Sequence, residues 1–221
     1  MKRKAESLSY GVIGLGRFGM ALAVTLANSG KEVIVVDKDE EKVKEMRQYT
    51  EYAFVCGNLS LEALREMGIQ NCDVVVVCVG EKVDVSILTT MSVIELKVPK
   101  VIAKATSQEQ GAVLQKIGAD VVYPERDMAL RLGKRLVSHS FLDYVSLENS
   151  VEIRQIQVPE ELIGKSIEQL QFRSKFGLNI IALENGGETT IEVSPSHHFA
   201  NGDIIVVIGK VNNLDDFENS I

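Results

Sequence analysis

The amino-acid sequence predicts an α/β fold, in which a Rossmann-type doubly wound parallel sheet precedes a smaller α+β module. Three observations predict this fold. Short β-rich segments alternate with helix-period segments over residues 9–123, a Gly-x-Gly-x-x-Gly motif occupies the first strand–helix turn, and the alternation stops after Tyr123-Pro124. Such alternation is typical of βαβ units, whose right-handed crossovers place helices on both faces of the sheet.

Six strands and five helices are predicted in the first part of the chain. Residues Val74–Val79 form a continuous apolar run of strand length, which is expected for a parallel strand that is covered on both faces. The other predicted strands are Tyr10–Ile13, Glu32–Val36, Tyr52–Val55, Val101–Lys104 and Val121–Tyr123, and the predicted helices are Phe18–Ser29, Asp39–Gln48, Leu61–Met67, Val85–Leu96 and Gln108–Ile117.

Residues at the ends of these helices support the assignment. Gly30, Gly68 and Gly118 each follow a predicted helix at the position of a left-handed C-cap residue. Asp39 and Ser60 stand where N-cap residues are expected. Local signals therefore agree with the global pattern.

The pattern after Pro124 predicts a crossover helix and then a small α+β module. The helix is expected over Asp127–Ser138, with Met128, Leu132 and Leu136 on one apolar stripe. Val151–Val158 alternates between apolar and polar residues, as a half-exposed strand does. The module is small enough that we expect it to pack against a copy of itself. Its other predicted elements are a helix at Ile167–Leu170 and strands at Asn179–Leu183, Thr189–Val193 and Asp203–Ile208.

The composition argues against several classes of protein. The formal net charge of −7 is unlike that of a general nucleic-acid binder, so no nucleic-acid partner is expected. No apolar run approaches the ~18 residues of a membrane-spanning helix. The three cysteines, Cys56, Cys72 and Cys78, lack metal-binding spacing and are interpreted as buried free thiols.

The glycine motif predicts a site for the phosphates of an adenine nucleotide. Gly14 permits the tight turn, Gly16 lets the backbone approach a pyrophosphate, and Gly19 allows close packing of helix on strand. Asp37 ends the second strand about 20 residues further on, where a carboxylate accepts hydrogen bonds from ribose hydroxyls and repels a 2′-phosphate. Other candidates near this edge of the sheet are Arg17, Phe18, Lys38, Gly57, Asn58, Gly80 and Lys104.

Four of these candidates have specific expected roles. Arg17 either forms bidentate contacts with a terminal phosphate or is a surface arginine that points to water. Lys104 is either a phosphate contact or a solvated residue at a strand end. Asn58 is placed to contact an adenine edge, and Gly80 lets a ligand lie close to the backbone.

Five segments of the sequence resemble the cytosolic regulatory subunits of Ktr/Trk potassium-uptake systems, which are RCK-domain proteins. They are Val12–Gly19, Ile87–Thr90, Lys116–Asp120, Tyr123–Ala129 and Arg173–Gly177. The resemblance implies an RCK N-domain over residues 8–126, a crossover helix over residues 127–144 and an RCK C-domain over residues 145–221. It also implies homodimers that assemble into an octameric ring, which docks in the cytoplasm on a membrane potassium channel subunit of the KtrB/TrkH type.

The resemblance further implies a regulator that senses ATP against ADP and gates potassium uptake. Arg17 would reach the terminal phosphate of ATP across a dimer, and Glu125 would hold a divalent cation, Mg²⁺ or Ca²⁺, near the phosphates. NAD or NADH is the alternative ligand of the same crevice. Related C-domains bind cyclic di-AMP at their two-fold interface, and the matching positions here, which ordinary dimer packing would explain equally well, are Arg173, Asn179, Ile180 and Pro195.

Two rival functions fit the residues less well. An NAD-dependent oxidoreductase would need an acid–base residue over the nicotinamide, and the small C-terminal module offers no such constellation, so no enzymatic activity is expected. A Rossmann-type transcription factor would need a helix-turn-helix and a basic face, and the sequence indicates neither.

Overall fold

The computed structural model describes residues 8–80, 82–137, 141–147 and 149–220. The chain divides into two compact units, Met1–Arg126 and Asp127–Ile221. Within the described ranges, no helix has both the length and the apolar character needed to cross a membrane.

The first unit contains a six-stranded sheet whose neighbouring strands are all parallel. Its strands are β1 (Ser9–Ile13), β2 (Glu32–Asp37), β3 (Ala53–Val55), β4 (Val74–Val77), β5 (Lys100–Lys104) and β6 (Asp120–Val122), and its helices are α1 (Arg17–Asn28), α2 (Glu40–Met46), α3 (Leu61–Glu66), α4 (Val83–Glu95) and α5 (Gln108–Lys116), with a 3-10 turn at Ile69–Asn71. The strand order is β3-β2-β1-β4-β5-β6, so the winding reverses between β1 and β4. A ligand crevice is expected at the carboxyl ends of the strands at this reversal.

Helices cover both faces of the parallel sheet, as the apolar strand sequences predict. In β4, Val75 and Val77 belong to one fully buried core, whereas Val76 belongs to the core on the opposite face, together with Val12 and Val35. A strand buried on both faces requires apolar residues at consecutive positions, which explains the unbroken valine run.

The predicted capping residues of the first unit are confirmed. Gly30, Gly68 and Gly118 have φ values of 72°, 82° and 103°, in the left-handed region. The Asp39 side chain accepts a hydrogen bond from Glu41 N–H, and the Ser60 side chain accepts one from Ala63 N–H.

Most predicted boundaries differ from the structure by one or two residues, and two of the differences have a structural reason. Strand β4 ends at Val77 and not at Val79, because the Cys78–Val79 backbone passes under the glycine turn, where a Cβ on Gly14 would lie 3.0 Å from Val79 N. The crossover helix, α6, runs over Pro124–Val137. It starts before Asp127 because proline fits the first helical position, and the predicted last residue, Ser138, lies outside the described residues.

The second unit contains a five-stranded antiparallel sheet of order β10-β9-β11-β8-β7. Its elements are β7 (Phe141–Ser146), β8 (Val151–Gln157), a 3-10 turn (Glu160–Leu162), α7 (Ile167–Leu170), α8 (Phe172–Phe176), β9 (Asn179–Asn185), β10 (Glu188–Thr190), β11 (Ile204–Lys210) and α9 (Val211–Asn219). Four phenylalanine rings pack together in its core. The ring centroids of Phe172 and Phe176 lie 5.2 Å and 5.0 Å from that of Phe217, and the centroid of Phe199 lies 6.1 Å from that of Phe172.

Four elements of the second unit were not predicted, namely β7, the 3-10 turn, α8 and α9, and β10 ends earlier than expected. The crossover helix was expected to include residues that form part of β7. Strand β10 ends at Thr190, although the prediction extended it to Val193. Strand β7 and helix α8 are six and five residues long, whereas α9 has nine residues and buries Leu214 and Phe217.

A buried arginine joins β8 to α9 in the second unit. The Arg154 side chain is 4% exposed and forms ion pairs with three carboxylates. The nearest distances are 2.8 Å to Glu152, 2.8 Å to Asp215 and 2.9 Å to Glu218. Burial of a guanidinium is costly unless carboxylates compensate it, and here they surround it.

Candidate functional site

The carboxyl ends of the parallel strands enclose a crevice of about 530 Å³ in the first unit. It lies where the winding of the sheet reverses, between the turns that follow β1 and β4. Eight of the twelve residues predicted for the nucleotide and its cation line it: Gly14, Gly16, Arg17, Asp37, Lys38, Gly57, Gly80 and Lys104.

The three motif glycines have distinct environments. Gly14 has a φ of +99°, which other residues rarely adopt. A Cβ on Gly19 would lie 1.9 Å from the carbonyl oxygen of Gly14, so α1 packs directly against the turn. A Cβ on Gly16 would meet nothing within 4 Å, so this backbone faces open space. This arrangement leaves room for a ligand at Gly16 alone.

The N-terminus of α1 faces the crevice without a side-chain cap. Gly16 is its N-cap residue and Arg17 its first residue, and both line the crevice. Because no side chain accepts from the first turn, its N–H groups and the positive end of the helix dipole are available to an anion.

Asp37 braces the glycine turn, a role that the sequence analysis did not anticipate. Its Oδ2 accepts a hydrogen bond from Leu15 N–H, and its Oδ1 accepts one from Asp39 N–H at 2.9 Å. Each carboxylate oxygen has two lone pairs, so both oxygens retain capacity for a ribose hydroxyl.

The crevice collects positive charge on a chain whose net charge is −7. Among the described residues that line it, five are cationic and Asp37 is the one carboxylate. Such a concentration favours a polyanionic ligand. The five cationic residues are Arg17, Lys38, Lys42, Lys82 and Lys104, of which Lys42 and Lys82 were not predicted.

Lys104 and Glu125 form a close ion pair at one side of this crevice. Lys104 Nζ lies 2.6 Å from Glu125 Oε1, and the two side chains are 14% and 60% exposed. The hydrogen bond from Lys104 is the largest influence on the pKa of Glu125 and lowers it, and the positive charge of Arg17 acts in the same direction. Glu125 itself does not line the crevice, although it was predicted to lie near the phosphates.

Glu125 fits a divalent cation only in part. Over the described ranges, no group of three or more His, Cys, Asp or Glu side chains is placed to hold a metal ion. Mg²⁺, however, is commonly bound by one or two carboxylates together with phosphate oxygens and water. The residue therefore fits as a single protein ligand of a phosphate-bound cation.

Three other predicted residues also lie outside the crevice lining. Phe18 packs against the core beside β1 and β2, and Gly19 is buried under the turn. Asn58 is exposed, and its backbone oxygen accepts a hydrogen bond from the Cys56 thiol at 3.1 Å. Adenine readout by the Asn58 side chain stays a prediction.

The remaining lining residues were missed by the sequence analysis. They are mostly apolar, and most lie within three residues of a predicted site residue, which is the signal that could have identified them. They are Val36, Cys56, Leu59, Cys78, Val79, Val85 and Thr106.

A second hollow, of about 550 Å³, lies in the second unit. Its lining includes all four positions assigned by resemblance to cyclic di-AMP, namely Arg173, Asn179, Ile180 and Pro195. The structure therefore brings these four residues together around one open depression within a single chain.

Comparison with known proteins gives matches along most of the chain. The TrkA-N domain model matches residues 10–124, and the TrkA-C domain model matches residues 151–221. The Ktr system potassium uptake protein C of Bacillus subtilis (strain 168) is 37% identical over 213 residues, which cover 96% of each chain.

Two solved structures are also similar. The GsuK RCK domain superposes with a TM-score of 0.52 at 21% identity, over 99% of this chain and 47% of that one. GsuK bound to ADP gives a TM-score of 0.50 at 27% identity, over 59% of this chain and 34% of that one.

Proposed function

The chain belongs to the family whose members carry a TrkA-N and a TrkA-C domain, and from that premise we propose that it regulates potassium uptake by sensing adenine nucleotides. The observation that carries this proposal is the cationic crevice at the glycine turn. The Bacillus relative is a potassium-uptake protein, and GsuK, which is 27% identical over the matched region, has been solved with ADP.

The ligand proposed for the crevice is ATP or ADP, with NAD or NADH as the competing possibility. The adenosine ribose would contact Asp37, whose negative charge disfavours a 2′-phosphate. The phosphates would lie over Gly16 at the N-terminus of α1, within reach of Arg17 and Lys104. A divalent cation between Glu125 and the phosphates would offset the repulsion of like charges.

The proposed response is a conformational change without chemical turnover. A ligand shifts an equilibrium between two shapes only by the difference in its affinity for them. ATP and ADP differ by one phosphate, so Arg17 and Glu125 are the proposed source of that difference. The chain would act as homodimers in an octameric ring, bound to a membrane potassium channel subunit.

Replacement of Arg17 tests the phosphate-sensing role. In Arg17→Ala we expect ATP affinity to fall ten- to a hundredfold, since a hydrogen bond to a charged group contributes roughly 1.5–3 kcal/mol. AMP affinity should change by less than about twofold. Isothermal titration calorimetry with ATP, ADP and AMP measures all three affinities.

Lys116→Ala is the matched control, because Lys116 is an exposed cation at the end of α5 and does not line the crevice. It should bind every nucleotide as the wild type does. Equal losses of ATP and AMP in Arg17→Ala, or binding of NADH alone by the wild type, would contradict the proposal.

For the second unit we propose cyclic di-AMP as the ligand of the hollow around Arg173. The support is that Arg173, a cation suited to phosphate, shares this hollow with the other three assigned residues. Cyclic di-AMP should raise the melting temperature of the wild type by mass action and leave that of Arg173→Ala unchanged. Equal shifts in both proteins would exclude this role for Arg173.

A further inference from the structure

The position of Lys104 places its ammonium group between Glu125 and the crevice. Its Nζ lies 2.6 Å from Glu125 Oε1. A Cβ built on Gly80 would lie 3.8 Å from Lys104 Nζ. Gly80 lines the crevice, whereas Glu125 belongs to the first turn of α6. The ammonium therefore sits where the crevice borders the start of α6.

The pair is asymmetric in its exposure to solvent. The Lys104 side chain is 14% exposed, and that of Glu125 is 60% exposed. Among the described residues, Glu125 is the carboxylate within ion-pair distance of Lys104 Nζ. The lysine consequently has little water to replace a lost partner, so it needs another anion if it leaves the glutamate.

A cation that approaches Glu125 in the ligand-free protein meets this ammonium. The two would share one carboxylate at close range, and like charges there repel. Arg17 adds positive charge that Glu125 senses. Divalent cations are therefore disfavoured at Glu125 as long as Lys104 stays paired with it.

Phosphate groups in the crevice would make a divalent cation favourable at Glu125. Phosphate oxygens offer Lys104 a second anion, and they leave Glu125 next to negative charge that a cation would neutralise. We propose that Lys104 is an exchangeable counter-ion, which keeps divalent cations off Glu125 until the phosphates of a nucleotide draw its ammonium away. This inference rests on the proposed nucleotide function of the crevice and adds an order of binding to it.

By linkage, the cation and the nucleotide would strengthen each other by the same factor. Cation binding would thus report the presence of phosphate in the crevice.

The first test measures Mn²⁺ binding to the full chain without nucleotide, by electron paramagnetic resonance of free Mn²⁺. Lys104→Met keeps the apolar stem and removes the charge, so Mn²⁺ should bind at least tenfold more tightly than to the wild type. The double variant Lys104→Met/Glu125→Gln should lose this gain, and Lys116→Met should behave as the wild type. An Mn²⁺ affinity of Lys104→Met equal to that of the wild type would overturn the inference.

The second test measures ATP affinity by calorimetry, in EDTA and with excess Mn²⁺. Mn²⁺ should tighten ATP binding at least tenfold in the wild type, and Glu125→Gln should abolish the effect. An undiminished Mn²⁺ effect in Glu125→Gln would also overturn the inference.

If ATP fails to bind the wild type in either condition, the proposed function fails. The Mn²⁺ affinities from the first test still decide whether Lys104 shields Glu125. If Lys104→Met does not melt cooperatively, Lys104→Gln replaces it in the first test.

Discussion

The two units of the chain hold a cation among carboxylates in opposite ways. In the antiparallel unit, Arg154 is enclosed by three carboxylates and its side chain is 4% exposed. In the parallel unit, Lys104 has one carboxylate partner within ion-pair distance in the described structure, and that partner is 60% exposed. A buried cation paired with three carboxylates holds the fold together, whereas one with a single exposed partner at a crevice can exchange it for a ligand.

The largest expected effect is the loss of the enclosed cation. Arg154→Met should reduce the free energy of unfolding of the second unit by about 3–5 kcal/mol, because buried Glu152 loses its counter-charge. Lys104→Met should cost about 1 kcal/mol or less, as expected for an ion pair whose carboxylate is solvent-exposed. Urea denaturation of both variants, followed by circular dichroism, makes the comparison, and equal costs would remove the distinction between the two cations.

The next effect separates the structural glycine from the ligand-facing one. Gly19→Ala should destabilise the first unit by roughly 1–3 kcal/mol through its clash with the Gly14 carbonyl, and it should also abolish ATP binding. Gly16→Ala should change stability by less than about 0.5 kcal/mol, since its Cβ meets nothing within 4 Å.

Gly16→Ala should nevertheless lower ATP affinity about tenfold, because its methyl group would occupy the space proposed for a phosphate. Thermal melts of both variants measure the loss of stability, and calorimetry measures the loss of ATP affinity. Unaltered ATP affinity in Gly16→Ala would place the phosphates elsewhere.

The smallest effect concerns the cysteines. Burial raises the pKa of Cys78 to about 12 and that of Cys72 to about 11, so both thiols stay protonated at pH 8. Cys56 is half-buried and lines the crevice. Iodoacetamide should label Cys56 alone in the native protein, as mass spectrometry would show, and ATP should slow that labelling. Rapid labelling of Cys78 would mean that the floor of the crevice opens readily.

The parallel sheet could be predicted from the sequence because its signals are redundant. The valine run of β4, the glycine motif after β1 and the left-handed glycines after α1, α3 and α5 each indicate the same architecture. The second unit offers fewer such signals. Strand β7 follows the crossover helix closely in sequence, and its residues do not alternate between apolar and polar. Helix α8 spans five residues, which is too few to display a helical period.

The site residues were predictable where a sequence motif fixes the backbone conformation. They were less predictable where a loop determines which side chains reach the crevice. Gly14, Gly16 and Asp37 follow from the motif, and Lys104 follows from its place at a strand end. Lys82 lines the crevice as the N-cap residue of α4, a position that no motif in the sequence marks. The Lys104–Glu125 pair joins residues 21 positions apart, and no local pattern reveals it.

The continuity of α6 gives the Lys104–Glu125 pair a mechanical meaning. This helix begins next to Glu125, crosses the boundary after Arg126 and continues to Val137. At 1.5 Å per residue its fourteen residues form a stiff rod of about 21 Å. The Lys104–Glu125 ion pair is therefore a contact between the first turn of this helix and the end of β5.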